Sequence, residues 1–390
     1  MPAGPTPPER RNLTLDVLHG IALAGVFLVD VPLYATPLSR ATRLAPGLDG
    51  LVQVLVAALA HTKFLILFTV LFGASMGLLM ERASSPEEFL RAYLRRLAFL
   101  FLLGALQTAL VWHSILLLYV PCALLVLPMR RLPPETQLKA ALALLAAGAA
   151  LPLLVLAFVP DFPSRFREGT MLGLAGEAAF FHGSWSAVAA LRLREFARLY
   201  APATALLFGL RTVGLMLLGL WLFRRGLFSE KPGFESALRA WTRRGLGAGA
   251  ALTLATALAV RPGRASALAA LWLGTYFASL ALAAGYLALA ARACLVPAWR
   301  ARLRPIALAG RACLSGYAAG SSLFALYAYP FGLGLFGRIG HAACAALALL
   351  TFAAVTLASA AWLSRLRFGP LEWLMRGAVY GRLPALRNEA

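Results

Sequence analysis

The sequence predicts an all-α integral membrane protein, a bundle of about ten transmembrane helices. Three observations carry that expectation. Apolar residues make up 61% of the 390 and charged residues only 14%, with a mean hydropathy of +0.76. Such a composition lacks the polar surface that a soluble domain needs. Apolar runs of ~20 residues recur along the chain, the length that crosses a hydrocarbon core as a helix. The basic residues, finally, fall in alternate connecting loops, as the positive-inside rule requires.

The segments follow in order, each a helix because lipid offers the backbone no hydrogen-bond partners. A Pro-rich tail, "MPAGPTPPER", opens the chain; residues 1–12 are expected to be flexible. Segment 13–35 comes next. It is long and charged and lacks a small-x-small cleavage site, so it reads as an uncleaved anchor. The long run 51–80 is interrupted by His61 and Lys63 and closed by Glu81 and Arg82. Segments 94–112 and 114–129 meet at a short external turn, and 138–159 follows the basic loop of Arg130, Arg131 and Lys139. The stretch 160–198 is expected outside, and its second half sets Leu191, Phe196 and Leu199 among Arg192, Arg194 and Arg198. That pattern suits an amphipathic helix lying in the interface. Segments 199–223, 245–260, 267–291, 306–329 and 341–363 complete the bundle, which spans 13–364. Residues 365–390 read as a cytoplasmic amphipathic segment, with Trp373 and Tyr380 at headgroup depth.

The net charge of +21 is a topological signal. With the N-terminus inside, 24 basic residues fall on the cytoplasmic side, 10 outside and 3 within segments. Both termini are therefore expected in the cytoplasm of a bacterial-type inner membrane, and nucleic acid is excluded as the partner of this charge. The four cysteines are dispersed and the five histidines lack ligand spacing, so no metal site or firmly implied cofactor is expected.

Ionisable side chains inside the segments are the candidates for function, because each costs ~2.5–3.5 kcal/mol at a bilayer centre on insertion scales. Asp16 and His19 lie three apart on one face of the first segment. They suit either an interfacial pair or a carboxylate-oriented imidazole acting as general base. Asp30 stands near the far end of the same segment, where it can pair with His61 or Lys63. Arg211 and Arg311 cannot shed their charge, so each needs a carboxylate, carbonyls or an anionic ligand. Asp30, Glu177 and Glu195 are the outward partners for Arg211, and Asp16 is the leading partner for Arg311.

Six blocks in order resemble the YeiB-like family of bacterial membrane proteins, whose final domain has no known function. They are "LDVLHGIALAGVFLVDV", "KFLILFTVLFGASMGLLMERA", "GLMLLGLWLFRRGLF", "GRACLSGY", "FGLGLFGRIG" and "FGPLEWLMRGAVYG". The last, a G-P-L-E-W block, is the most diagnostic. The first-helix motif is also similar to that of transmembrane acyltransferases, which implies acyl-CoA as a donor. His19 stands where the family usually has Arg, and Asp30 where it has Asn. One function class is an acyltransferase-like enzyme with an inner-leaflet site, Asp16 and His19 as catalytic groups and Lys63 and Arg311 as substrate-binding groups; the signature keeps the Asp, whereas His19 is this sequence's own. Membrane lipids and a small-molecule ligand are the expected partners. A transporter or flippase, with these residues lining a path, is the alternative.

Overall fold

A computed structural model of the chain describes residues 12–37, 40, 43–111, 114–158, 180–199, 202–228, 233–259 and 265–387. The Pro-rich tail up to Arg11, His113, Glu177 and most of the expected external stretch lie outside the described residues. Among those described, helices are the only extended elements, and a single antiparallel bridge joins Leu366 to Arg387. In chain order they are α1 (Leu13–Ala35), α2 (Gly47–Leu59), α3 (Lys63–Arg82), α4 (Pro86–Leu110), α5 (Leu116–Met129), α6 (Pro134–Phe158) and α7 (Trp185–Leu199). Then come α8 (Pro202–Arg224), α9 (Glu235–Ala259), α10 (Ala265–Leu295), α11 (Pro297–Arg311), α12 (Cys313–Ala328), α13 (His341–Leu363) and α14 (Pro370–Tyr380).

Five stretches of the described residues are long and apolar enough to cross a membrane: Leu13–Ala35, Gly47–Arg82, Pro134–Val155, Ala269–Leu295 and His341–Leu363. The other expected crossings coincide with α4, α5, α8, α9 and the α11–α12 pair, which lie outside that set of five. Two expected segments are broken. The run 51–80 divides at Ala60–Thr62, where Thr62 adopts a left-handed φ of 68° that a threonine rarely takes. The run 306–329 divides at Ala312, between α11 and α12. The expected 245–260 is the second half of a longer helix, α9, whose first half carries Arg239, Arg243 and Arg244.

α1 is the hub, packed by α3, α10, α11, α12 and α13. Its Leu18, Ala22, Leu23 and Phe27 are fully buried. Asn12 caps its start by accepting from the Leu15 N–H at 3.0 Å. The Asn12 amide also donates to the Phe228 carbonyl beyond the end of α8, tying the two helix ends to one side. Two crossings depend on missing side chains. A Cβ on Gly310 of α11 would lie 1.8 Å from the Asp16 carbonyl oxygen, and one on Gly73 of α3 would lie 1.8 Å from the Met216 oxygen of α8. Small residues let such helices meet backbone to backbone, where no apolar driving force from water brings them together.

Candidate functional site: polar groups along the first helix

The N-terminal end of α1 faces three elements at once. Its Asp16–Gly20 turn lies against the end of α11, and Gly20 would meet the Ile306 oxygen if it carried a Cβ. On the neighbouring face, the His19 ring meets the edge of Phe68 from α3 at 6.3 Å. His19 Nδ1 is 2.7 Å from the Leu15 carbonyl, one turn back. A carbonyl can only accept, so that bond puts the proton on Nδ1 and leaves Nε2 with a lone pair. The imidazole is thus oriented by backbone and not by the Asp16 carboxylate, as the three-residue spacing had suggested.

Arg96 is the cation in electrostatic reach of His19. It extends from α4 over the Phe72 ring at 5.3 Å, and its buried Nε has no hydrogen-bond partner among the described residues. Tyr93 and Tyr380 are its electrostatic neighbours, so the final helix α14 reaches the same layer. Counting Arg96 among the cytoplasmic loop charges missed this placement. The signal was its position four residues from Leu100 and Leu97's neighbour on a buried face, both leucines being almost fully covered.

Glu372 is the second residue that sequence reasoning placed on a surface and the structure buries, at 6% exposure. The break at Ala312 explains it. α12 begins inside the protein with no side-chain cap of its own, leaving N–H groups without partners. Glu372 supplies them from α14: one carboxylate oxygen accepts from Leu314 N–H at 2.7 Å and Ser315 N–H at 3.2 Å. The other accepts from the Ser315 hydroxyl at 2.5 Å, which itself accepts from the Leu371 N–H at 3.0 Å. A carboxylate at a helix N-terminus also meets the positive end of its dipole. The expected picture of α14 as a purely surface amphipathic segment is corrected accordingly, since its acidic residue points inward while Leu374 is 44% exposed.

Arg311 ends α11 at that same break, and its guanidinium donates to the Arg367 carbonyl at 3.4 Å. The backbone of Gly310 touches α1 at Asp16, so Arg311 and Asp16 belong to one layer, with His19 one turn further along α1. Lys63 does not join them. It starts α3 at the opposite end, where its ammonium donates to the Ala57 carbonyl at 3.0 Å. Its electrostatic neighbours are His61 and Arg211, not Asp30.

The C-terminal end of α1 carries a second polar group. Asp30, Tyr317, Ser321 and Tyr329 surround Tyr34. Arg192 of α7 is fully buried beside them, 5.3 Å over the Tyr329 ring, with its Nε donating to the Val188 carbonyl at 3.2 Å. Burial lowers the Arg192 pKa, and the nearby Tyr329 and Tyr34 hydroxyls oppose the shift. The expected amphipathic helix is therefore present, but its faces differ from expectation: Arg192 turns in and Leu193 turns out, 47% exposed. Among the described residues no group of His, Cys, Asp and Glu could hold a metal ion.

Residues 222–382 match the family model described as protein of unknown function DUF418. Over 96% of its length the chain is 25% identical, across 397 residues, to the uncharacterized protein YxaH of Bacillus subtilis (strain 168), 96% of which is covered. It is 27% identical over 384 residues to an uncharacterized 39.9 kDa protein in the amylase 3' region of Bacillus acidopullulyticus, covering 96% of this chain and 95% of that one. A stretch of 115 residues, 28% of each chain, is 31% identical to the uncharacterized protein YeiB of Escherichia coli (strain K12). These matches support a YeiB-like family for the chain. No solved structure matches it. The YeiB-like blocks acquire physical meanings from the geometry: the G-P-L-E-W block delivers the cap on α12, and the K-F block opens α3 at its left-handed turn. None of these descriptions names an activity.

Proposed function

We propose that this YeiB-like protein is an inner-membrane acyltransferase that works from the cytoplasmic side, with His19 as the general base. The observation that carries the reading is the His19 Nδ1 to Leu15 carbonyl bond, which leaves Nε2 able to take a proton. An acceptor hydroxyl or amine would give its proton to Nε2 as its oxygen or nitrogen bonds the acyl carbon. The thioester C–S bond then breaks, and the proton passes to the leaving thiolate of CoA. Arg96, held near His19 without a hydrogen-bond partner on its Nε, suits an anionic donor or the developing oxyanion. The basic runs Arg239, Arg243, Arg244 and Arg300, Arg302, Arg304 suit the cytosolic pool of that donor.

In this reading the chain makes ten crossings, with both termini in the cytoplasm and α7 outside the membrane-spanning set. Asp16 and Arg311 keep their assigned roles as site residues at the inner end of α1, the first supporting the imidazole's field and the second binding the donor's phosphates. Lys63 is reassigned to the opposite end. A transporter or flippase is the second reading, and one observation favours it: polar groups stand at both ends of α1, at His19 and at Asp30 and Tyr34. Calorimetry of the purified protein with acetyl-CoA and longer acyl-CoAs separates the two. Binding that weakens at least tenfold in Arg96→Gln supports the enzyme, whereas no binding at millimolar donor leaves transport as the better account.

A further inference from the structure

We infer that the cleft between α3, α5 and α8 is a lateral binding site for an amphiphile with one anionic head on an acyl chain, the head held by Arg211. The cleft has a volume of ≈ 220 Å³. Leu65 and Ile66 of α3, Ile115 just ahead of α5, Leu118 of α5, and Phe208 and Leu215 of α8 give it an aliphatic and aromatic wall. Arg211, Thr212, whose hydroxyl donates to the Phe208 carbonyl, and the hydroxyls of Thr69 and Tyr119, 2.6 Å apart, are the polar groups set into that wall. A guanidinium keeps its charge in any surroundings, so an apolar cleft that contains one calls for a counter-charge.

The protein does not supply that counter-charge from its described residues. Arg211 packs 5.1 Å over the Tyr276 ring, and its electrostatic neighbours are Tyr276 and Tyr119. Lys63 adds positive potential from the break between α2 and α3, beside the His61 imidazole. No carboxylate is among the electrostatic neighbours of Arg211 in the described residues. Tyr276 is itself anchored, donating to the Leu145 carbonyl at 2.8 Å, so the guanidinium has a fixed platform. Access is from the side. Leu65 is 39% and Phe208 43% exposed at the rim, on a surface that a bilayer would cover with acyl chains. A ligand entering there brings its own apolar tail, which matches the wall, and its anionic head meets Arg211. A fatty-acid carboxylate and an anionic phospholipid share this chemistry. Tyr119 meets the Phe72 ring that Arg96 covers, so the cleft abuts the His19 layer, but binding there does not depend on acyl transfer.

The test uses the full-length protein purified in a neutral detergent, with oleate, oleyl alcohol, phosphatidylglycerol and phosphatidylcholine as probes. Thermal shift and native mass spectrometry read the binding. Oleate or phosphatidylglycerol should bind at least tenfold more tightly than its uncharged or zwitterionic counterpart, and which of the two does so names the source. Arg211→Gln should abolish that preference and Arg211→Lys should keep part of it. Leu65→Trp, at the exposed rim and without change of charge, should block the chain and weaken binding in a protein whose fold is undisturbed. Equal affinity for oleate and oleyl alcohol, or anion binding unchanged in both Arg211→Lys and Leu65→Trp, would overturn the inference.

Discussion

Glu372 shows how much one side chain can decide. Its carboxylate closes three hydrogen bonds on the first turn of α12, and hydrogen bonds to a charged group are worth ~1.5–3 kcal/mol each when the partner would otherwise stay unsatisfied. Glu372→Ala is expected to destabilise the detergent-solubilised protein by about 2–4 kcal/mol. Glu372→Gln, which keeps an acceptor oxygen, should lose about half of that, measured by thermal melting. Equal melting of wild type and both variants would mean the cap is not what holds α14. Asp16 and Arg311 make a second residue-scale case, because Gly310 presses α11 onto α1 at Asp16. If they are a buried pair, Asp16→Ala and Arg311→Ala should each cost about 3–5 kcal/mol. Melting curves that neither change moves would dismiss the pairing. The sequence marked both Asp16 and Arg311, since a charge inside an apolar run is visible on its own. It did not mark the inward turn of Glu372 or Arg96, because a charge at the end of an apolar run reads as solvated until its partner is known.

At the scale of elements, the helices were legible where apolar length alone decides them. His341–Leu363 coincides with the expected bounds, and Leu13–Ala35 does too. The break at Ala60–Thr62 was marked by His61 and Lys63, which interrupt the apolar run, whereas the break at Ala312 was not legible, because that position itself is neither Pro nor Gly and apolar residues resume directly after it. What sets them is tertiary: the left-handed Thr62 is held by its hydroxyl donating to Ser279 at 2.7 Å, and α12 starts where Glu372 can cap it. Close helix crossings are the other element-scale device. Gly73→Leu should push α3 from α8 and cost about 1–3 kcal/mol through overpacking, seen as a lower melting temperature and a broader gel-filtration peak. Gly247→Leu, where a Cβ meets nothing within 4 Å, is the control and should melt like wild type.

The whole molecule is organised around α1, which carries polar groups at both ends and is wrapped by five other helices. The bias of basic residues, 24 against 10, predicts its topology in the bilayer. Reporter fusions at residue 180 and at the C-terminus should place the first outside and the second inside; a C-terminus active with a periplasmic reporter would refute an even number of crossings. Class and the YeiB-like resemblance were readable from composition and from the six blocks, whereas activity was not, because the groups that give a site its chemistry are assembled from α1, α3, α4, α11 and α14. The central claim is that the inner end of α1 performs acyl transfer through His19. The most direct measurement is thiol release from acetyl-CoA by inverted membrane vesicles carrying wild type, His19→Ala or His19→Gln. The account predicts release by wild type that rises with pH as the imidazole loses its proton and falls at least a hundredfold in both variants. Release that is absent from wild type, or equal in all three, would contradict it.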